Sequence, residues 1–284
     1  MIIAQIKAGL GNQLFQYAAA KQLAEKLGTE LKLDVDFFDN HMDGVTQRNF
    51  ELSKLAISAP IASKAEIKRI KNKPWKNIFH ISTIRERHYP LLRLILRRGN
   101  NYYLKGYWQS ERYFADIAPI ICDEFRFLEP LQGEYFIQMR QNIMETNSVS
   151  LHFRRGDYVT NAKANACFGT CPIEYYQKAV KIISSSIPDP RLFIFSDDIT
   201  WVKNNFSTRL PTIFIDQKDE MLHSDFRLMK LCRHNIIANS SYSWWAAWLN
   251  ENPSKTIIAP QQWSKDKQLQ HRSATMIPRN WMRV

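Results

Sequence analysis

The stretch "SVSLHFRRGDYV" (148–159) sets a histidine, two adjacent arginines, a glycine and an aspartate at the end of a short apolar run. Val149, Leu151 and Phe153 alternate with Ser150 and His152, the period of an extended chain. Arg154 and Arg155 therefore follow the end of a core strand. One reading is a solvated loop in which an arginine pairs with Asp157. The other is chemical. A departing nucleoside diphosphate gathers negative charge on its terminal phosphate, and either a divalent metal or fixed cationic donors must stabilise it. The arginine fork matches phosphate oxygens, which a lysine ammonium does not, so two arginines at a strand end can stand in for a metal. His152 points away from Phe153, either to position a base or phosphate or to pack as a hydrogen-bonded core histidine.

Other residues have types and positions suited to the same ligand. "GLGNQ" (9–13) lies between an expected strand and helix, where backbone N–H groups and the helix dipole receive phosphate. Gly9 and Gly11 begin a dinucleotide-like pattern, but Leu14 stands at the third glycine position, which disfavours a Rossmann cofactor. Asn12 is also a candidate helix N-cap. "ANSSYSWWAAWLN" (238–250) places Asn239, Ser240, Ser241 and Ser243 at a second strand-to-helix junction, another anion cradle. Its tryptophans read as core packing. Asp225, in "HSDFRLMKLC", could accept the N1–H and N2–H of guanine, a geometry that adenine cannot satisfy. Asp197 and Asp198 in "FSDD" suit ribose hydroxyls or the cap of the next helix. "DVD" (34–36) has a carboxylate spacing that can hold a metal, but it is a short pattern and no metal site is expected.

The elements that must position these residues alternate. "MIIAQIK", a helix from Leu14 to a stop at Gly28, and "ELKLDV" make one βαβ unit. Residues 40–100 are less regular, and "NYYLKGYW" (101–108) is a further strand before the helix "ERYFADIAPIICDEF". From 148 onward five short apolar strands alternate with helices, which describes a parallel sheet covered on both faces. We expect two α/β domains, residues 1–147 and 148–284. Ligands of open parallel sheets bind beyond the carboxyl ends of the strands. That rule selects Gly9 to Gln13, His152 to Asp157, Ser196 to Asp198, Asp216, and Asn239 to Ser243.

Composition sets the outer bounds. No apolar run approaches the roughly 18 residues of a membrane span, and the opening residues do not resemble a secretory signal. Cys122, Cys167, Cys171 and Cys232 are scattered, without zinc-site spacing, and read as thiols in a reducing cytoplasm. The net charge is +12, and residues 64–98 carry eleven Lys or Arg against Glu66 and Glu86. That stretch suits an anionic membrane surface, nucleic acid, or a merely solvated face. A nucleic-acid module is the competing class, but the chain has neither a helix-turn-helix pattern nor the aromatic–basic interleaving of RNA binders.

Taken in order, "GLGNQLFQYA", "HFRRGDYV", "FSDD" and "DFRLMKLCRHNIIANSSYSWWAAWLN", with "IIAPQQW" after them, closely resemble the bacterial α-1,2-fucosyltransferases of glycosyltransferase family 11. The resemblance implies a GT-B fold, two Rossmann-like domains facing across a cleft. It implies GDP-β-L-fucose as donor, metal-independent inverting transfer, and the 2-hydroxyl of a terminal galactose as acceptor in a glycan such as an O-antigen. It makes the C-terminal domain the donor side and the N-terminal domain the acceptor side. Carried over, it makes Arg154 the principal pyrophosphate contact with Arg155 beside it, and brings Gly9, Gly11 and Asn12 to the pyrophosphate from the other domain. His152 and Asp225 then read guanine, Asp197 lies near the nucleoside, and Asn239, Ser240 and Ser241 receive the phosphates. The resemblance identifies no general base. The basic 64–98 stretch is outside the shared pattern. It is expected to hold a cytoplasmic enzyme against the anionic inner membrane, where lipid-linked glycans are built.

Overall fold

The structure, a computed structural model, describes residues 1–39, 47–71, 82–89, 96–216 and 223–284. The chain divides into two compact units, Met1–Glu129 and Pro130–Val284. The expected boundary put residues 130–147 in the first. They belong with the second because the helix Glu134–Met144 packs on a helix of that unit.

In the first unit the elements run β1 (Ile2–Gln5), α1 (Leu10–Leu27), β2 (Leu31–Asp34), α2 (Asp36–Asp39), α3 (Lys64–Lys71), β3 (Thr83–Arg85), β4 (Tyr102–Lys105) and α4 (Ala118–Glu124). The described strands form a parallel sheet in the order β2-β1-β4-β3. Gly28 ends α1 at φ +56, the left-handed conformation that glycine adopts at least cost, and Thr29 N–H returns to Ala24 O at 3.0 Å. The β1–α1–β2 unit is as the pattern predicts. β3 is not legible in the sequence, since only Ile84 of its three residues is buried and its neighbours are basic.

Asp34 of the "DVD" stretch is buried and accepts hydrogen bonds from Tyr103 Oη (2.6 Å), Lys71 Nζ (3.0 Å) and the Asp36 N–H (3.1 Å). It braces the sheet. Among the described residues no group of three His, Cys, Asp or Glu is placed to hold a metal ion. In α3, Ile67 and Ile70 pack into a core with Ile3, Ala62 and Tyr103, while Lys64, Lys68 and Arg69 are exposed. The described part of the basic stretch is therefore a solvated cationic face over a packed interior. Residues 72–81 and 90–95, including most of "PLLRLILRR", lie outside the described residues. Among the described residues no helix is long and apolar enough to cross a membrane.

The second unit runs α5 (Glu134–Met144), β5 (Asn147–Phe153), α6 (Gly156–Thr160), α7 (Ala162–Cys167), α8 (Ile173–Ser186), β6 (Pro190–Ser196), α9 (Ile199–Asn205) and β7 (Thr212–Ile215). It continues with α10 (Ser224–Leu231), β8 (His234–Ile236), α11 (Ser241–Trp248), β9 (Ile257–Ala259), α12 (Lys267–Ser273) and β10 (Met282–Arg283). The expected start of α10 at Glu220 falls outside the described residues. The sheet is parallel, in the order β10-β9-β8-β5-β6-β7. β5 lies inside it and is buried on both faces, which is why its sequence is mostly apolar, with two serines and the buried His152 among its polar residues. Val149, Leu151 and Phe153 face α8, where Phe153 stacks on Tyr176 at 3.8 Å. On the other face Ser150 Oγ accepts from Asn235 Nδ2 at 2.7 Å. Trp244 and Trp245 of α11 are fully buried and Trp244 meets Trp281 at 5.3 Å, so these tryptophans pack the core.

Candidate active site

The carboxyl end of β5 delivers His152 and, just beyond Phe153, Arg154. His152 is 5 % exposed, and its Nδ1 has no hydrogen-bond partner. Burial pushes its pKa down to about 4; Asp197 opposes the shift and the Arg154 charge adds to it. The ring is neutral at pH 7. Buried polar atoms in native proteins are normally satisfied, so a lone Nδ1 near the carboxyl end of β5 marks a place where a ligand can complete the bonding.

Arg154 pairs with Asp157 through one guanidinium nitrogen, and with Asp197 Oδ2 at 2.6 Å through the other. Burial works against its charge, but Asp197 and Asp157 outweigh it and the pKa is raised. The loop ion pair and the phosphate reading are thus compatible: two carboxylates hold a charged fork in one orientation. Asp197 does more than pair, since its Oδ1 accepts the Arg155 N–H at 2.8 Å. It does not cap the following helix. Asp198 does, accepting the Trp201 N–H at 3.2 Å. The Arg155 guanidinium turns the other way, bonds Asp198 Oδ2 through Nε at 3.0 Å and lies 3.5 Å from the Trp201 ring centroid. These contacts support the loop beside Arg154. Trp201 gives no sequence signal for that role.

Gly156 lets the loop close. A Cβ there would stand 2.4 Å from Asp197 Oδ2 and 3.1 Å from its Cγ. Gly156→Ala must therefore displace the carboxylate that orients Arg154. We expect it to destabilise the second unit by about 1–3 kcal/mol and to weaken nucleotide binding. Thermal denaturation and a GDP titration check both effects.

Asp225 opens α10, and burial lifts its pKa to about 6, with His223 pulling the other way. His223 has a left-handed backbone (φ +56), and its Nδ1 lies 3.3 Å from Tyr242 Oη. The Tyr242 ring is 5.2 Å from Phe226 and 6.3 Å from His152 between centroids. Tyr242 thus links the His152 end of β5 to the Asp225 helix. It is a site residue that the sequence does not single out, because the serines on either side of it carry the more obvious phosphate chemistry.

The serines and Asn239 at the second strand-to-helix junction also have structural partners. Ser240 caps α11, its Oγ accepting the Tyr242 N–H at 3.3 Å, and Ser243 donates to Ser240 O. Ser241 is half-buried at the first turn. Asn239 is buried and its Nδ2 serves Gly169 O (3.0 Å), Trp263 O (3.2 Å) and Phe168 O (3.4 Å), while Oδ1 faces Cys171 Sγ at 3.4 Å. Its carboxamide ties three chain segments together beside the start of α11.

In the first unit Gly9 stands at the N-cap of α1 and offers no side-chain cap; Arg48 Nε lies 3.9 Å from where its Cβ would be. Gly11 and Asn12 fall in the first turn, so Asn12 is not the cap. Its Oδ1 accepts from Gln109 Nε2 at 2.7 Å. Gln13 is fully buried and staples the loop, donating to Ala8 O and Asn49 O and accepting the Glu51 N–H.

A Rossmann-like sheet in each unit, with charged and glycine-bearing loops at the carboxyl ends of the strands, is the GT-B class of α/β fold. The chain matches the family model described as Glycosyl transferase family 11 over residues 1–284. It belongs to glycosyltransferase family 11. It is 33 % identical over 282 residues to the O-antigen biosynthesis glycosyltransferase WbnK of Escherichia coli, covering 91 % of this chain and 93 % of that one. It is 31 % identical over 304 residues to an alpha-1,2-colitosyltransferase of Escherichia coli, covering 100 % and 99 %. Among solved structures, the NodZ alpha-1,6-fucosyltransferase soaked with GDP-fucose shares the fold at a TM-score of 0.50 and 14 % identity, over 87 % of this chain and 91 % of that one. This family-11 enzyme is a glycosyltransferase.

Proposed function

We propose that the enzyme moves L-fucose from GDP-β-L-fucose to the 2-hydroxyl of a terminal galactose, with inversion and without a divalent cation. The product is an α-1,2-linked bacterial surface glycan such as an O-antigen, and transfer takes place at the cytoplasmic face of the membrane. The observation that carries the donor half is the Arg154 fork at the end of β5, near a neutral His152 whose Nδ1 has no hydrogen-bond partner. A diphosphate oxygen pair matches that fork, and charge that develops on the β-phosphate as the C1–O bond breaks meets an oriented cation. Asp225, across Tyr242, accepts the N1–H and N2–H of guanine. An acceptor oxygen enters C1 from the face opposite the leaving GDP, which gives the inverted anomer. The resemblance of "HFRRGDYV" and its companion motifs supports fucose and the 2-linkage, and the O-antigen relative supports the setting.

The colitosyltransferase relative, which spans the whole chain, favours a second reading in which colitose replaces fucose. A transfer assay with GDP-fucose and the colitosyl nucleotide on a panel of β-galactosides, with the linkage read by NMR, tests both readings. The expected product is Fuc-α-1,2-Gal formed in the presence of chelator. Transfer from the colitosyl donor alone selects the second reading, and a product linked elsewhere rejects the 2-hydroxyl.

A further inference from the structure

The carboxyl edge of the first unit's sheet gathers residues that the donor site does not use. β1 runs on to Lys7, β3 to Glu86, and β4 to Gly106 and Tyr107. The strand order β1-β4-β3 brings these three ends side by side, although the sequence separates them widely. Glu86 Oε2 accepts the Tyr107 N–H at 2.9 Å. Gly106 makes that approach possible: a Cβ there would lie 2.7 Å from Glu86 Cβ and 3.0 Å from both Glu86 Oε2 and Trp108 Nε1. Lys7 Nζ stands 4.3 Å from the Tyr107 ring centroid. The Tyr107 side chain is left 42 % exposed.

The backbone around these residues is held under strain. Ala8 follows Lys7 at φ +65, and Trp108 follows Tyr107 at φ +57, both in the left-handed region that non-glycine residues avoid. Such residues persist where packing over-determines them, and they gather at ligand sites. Here the packing is visible. Trp108 is 2 % exposed and meets Tyr89 and Tyr113 edge-on at 5.4 and 5.2 Å. A rigid aromatic base thus presents a partly exposed tyrosine ring, with Lys7 over it, next to a carboxylate bonded to the Tyr107 N–H.

This combination selects a ligand class. The Lys7 and Glu86 charges face each other here, so the spot selects neither an anion nor a cation, and a wholly apolar group would strand both charges. A pyranose fits ring and carboxylate alike, because its C–H face is apolar and its rim carries hydroxyl donors. We propose that Tyr107 and Glu86, backed by Lys7, form the subsite for the acceptor glycan. The exposed part of the Tyr107 ring carries the sugar ring and Glu86 Oε1 accepts a hydrogen bond from one of its hydroxyls. Tyr107 sets the position of the ring and Glu86 sets which hydroxyl pattern is tolerated. The inference rests on the glycosyltransferase reading of the donor site.

The test is a calorimetric titration of galactose-terminated β-disaccharides into the full chain saturated with GDP. Tyr107→Ala should weaken glycan binding about tenfold or more, while Tyr107→Phe, which keeps the ring, should stay within about twofold of wild type. Glu86→Gln, nearly isosteric, should weaken it about tenfold, with the kinetic loss in the KM for acceptor and not in the KM for donor. GDP affinity and Tm report that each variant is folded. If neither Tyr107→Ala nor Glu86→Gln changes glycan affinity while GDP still binds, the subsite is wrong and the donor reading stands. If wild type does not bind GDP, the donor reading fails, independently of this subsite.

Discussion

Arg154→Lys is expected to lower the rate of sugar transfer about 10²–10³-fold while leaving the fold in place. The native side chain bonds Asp157 and Asp197 through two different guanidinium nitrogens. A lysine keeps the charge but has one nitrogen, so it cannot span both carboxylates and still present parallel donors to a diphosphate. The lost interaction grows as charge develops on the leaving phosphate, so kcat falls more than the KM for donor rises. The fold survives because the substituted side chain is partly exposed (22 %) and remains beside its acids. Steady-state kinetics with a melting curve measure both halves. A variant with wild-type kcat would remove Arg154 from the chemistry, and one that melted far below wild type would make it structural.

The second large effect is on base recognition. Asp225 must be ionised to accept the N1–H and N2–H of guanine, and burial holds its pKa at about 6. GDP affinity should therefore be flat above about pH 7 and fall as pH drops through 6, reaching about tenfold weaker at pH 5. The stability signs follow from the same shifts. Asp225 is raised from its unfolded value, so it favours the fold at low pH, and that contribution is lost as pH rises from about 4 to 6. On the proposed guanine reading, bound GDP should reverse this trend by favouring the ionised form. His152 is depressed to about 4, so its contribution is present above the unfolded value of 6.5 and is lost as pH falls toward 4. His152 stays neutral in the folded protein through the window in which Asp225 titrates. Asp225→Asn separates the carboxylate's contribution from that of His223, which acts on it electrostatically. The variant should abolish the acid limb, cost about 10–100-fold in GDP affinity, and erase the preference for guanine over adenine. Titrations of GDP and ADP between pH 5 and 8 for both proteins decide it. An unchanged acid limb in Asp225→Asn would assign the titration elsewhere.

The second unit is legible in the sequence because central parallel strands, buried on both faces, read as apolar runs, and because α/β ligand sites sit at strand ends. The alternation of Val149, Leu151 and Phe153 is enough to put "HFRRGD" at such an end. Its partners leave no comparable mark. Trp201 under Arg155, Tyr242 between His152 and α10, and the Asp197 bridge from Arg154 to the Arg155 N–H arise from chain segments that only the folded sheet brings together. The same limit hides the Tyr107–Glu86 pair, because β3 has a single buried residue and its pairing with β4 leaves no periodic trace. Asn239 and Ser240 carry a second, structural meaning that the sequence alone does not separate. Their types suit phosphate, and the local demands of the helix cap and loop tethering also use their hydrogen bonds.

The decisive measurement is a calorimetric titration of GDP, ADP and UDP into the wild-type chain in excess chelator. Charge neutralisation by Arg154 together with guanine recognition by Asp225 predicts one GDP site, with ADP and UDP at least about tenfold weaker. Equal affinity for the three nucleotides, or GDP binding that appears only after magnesium or manganese is added, would contradict it.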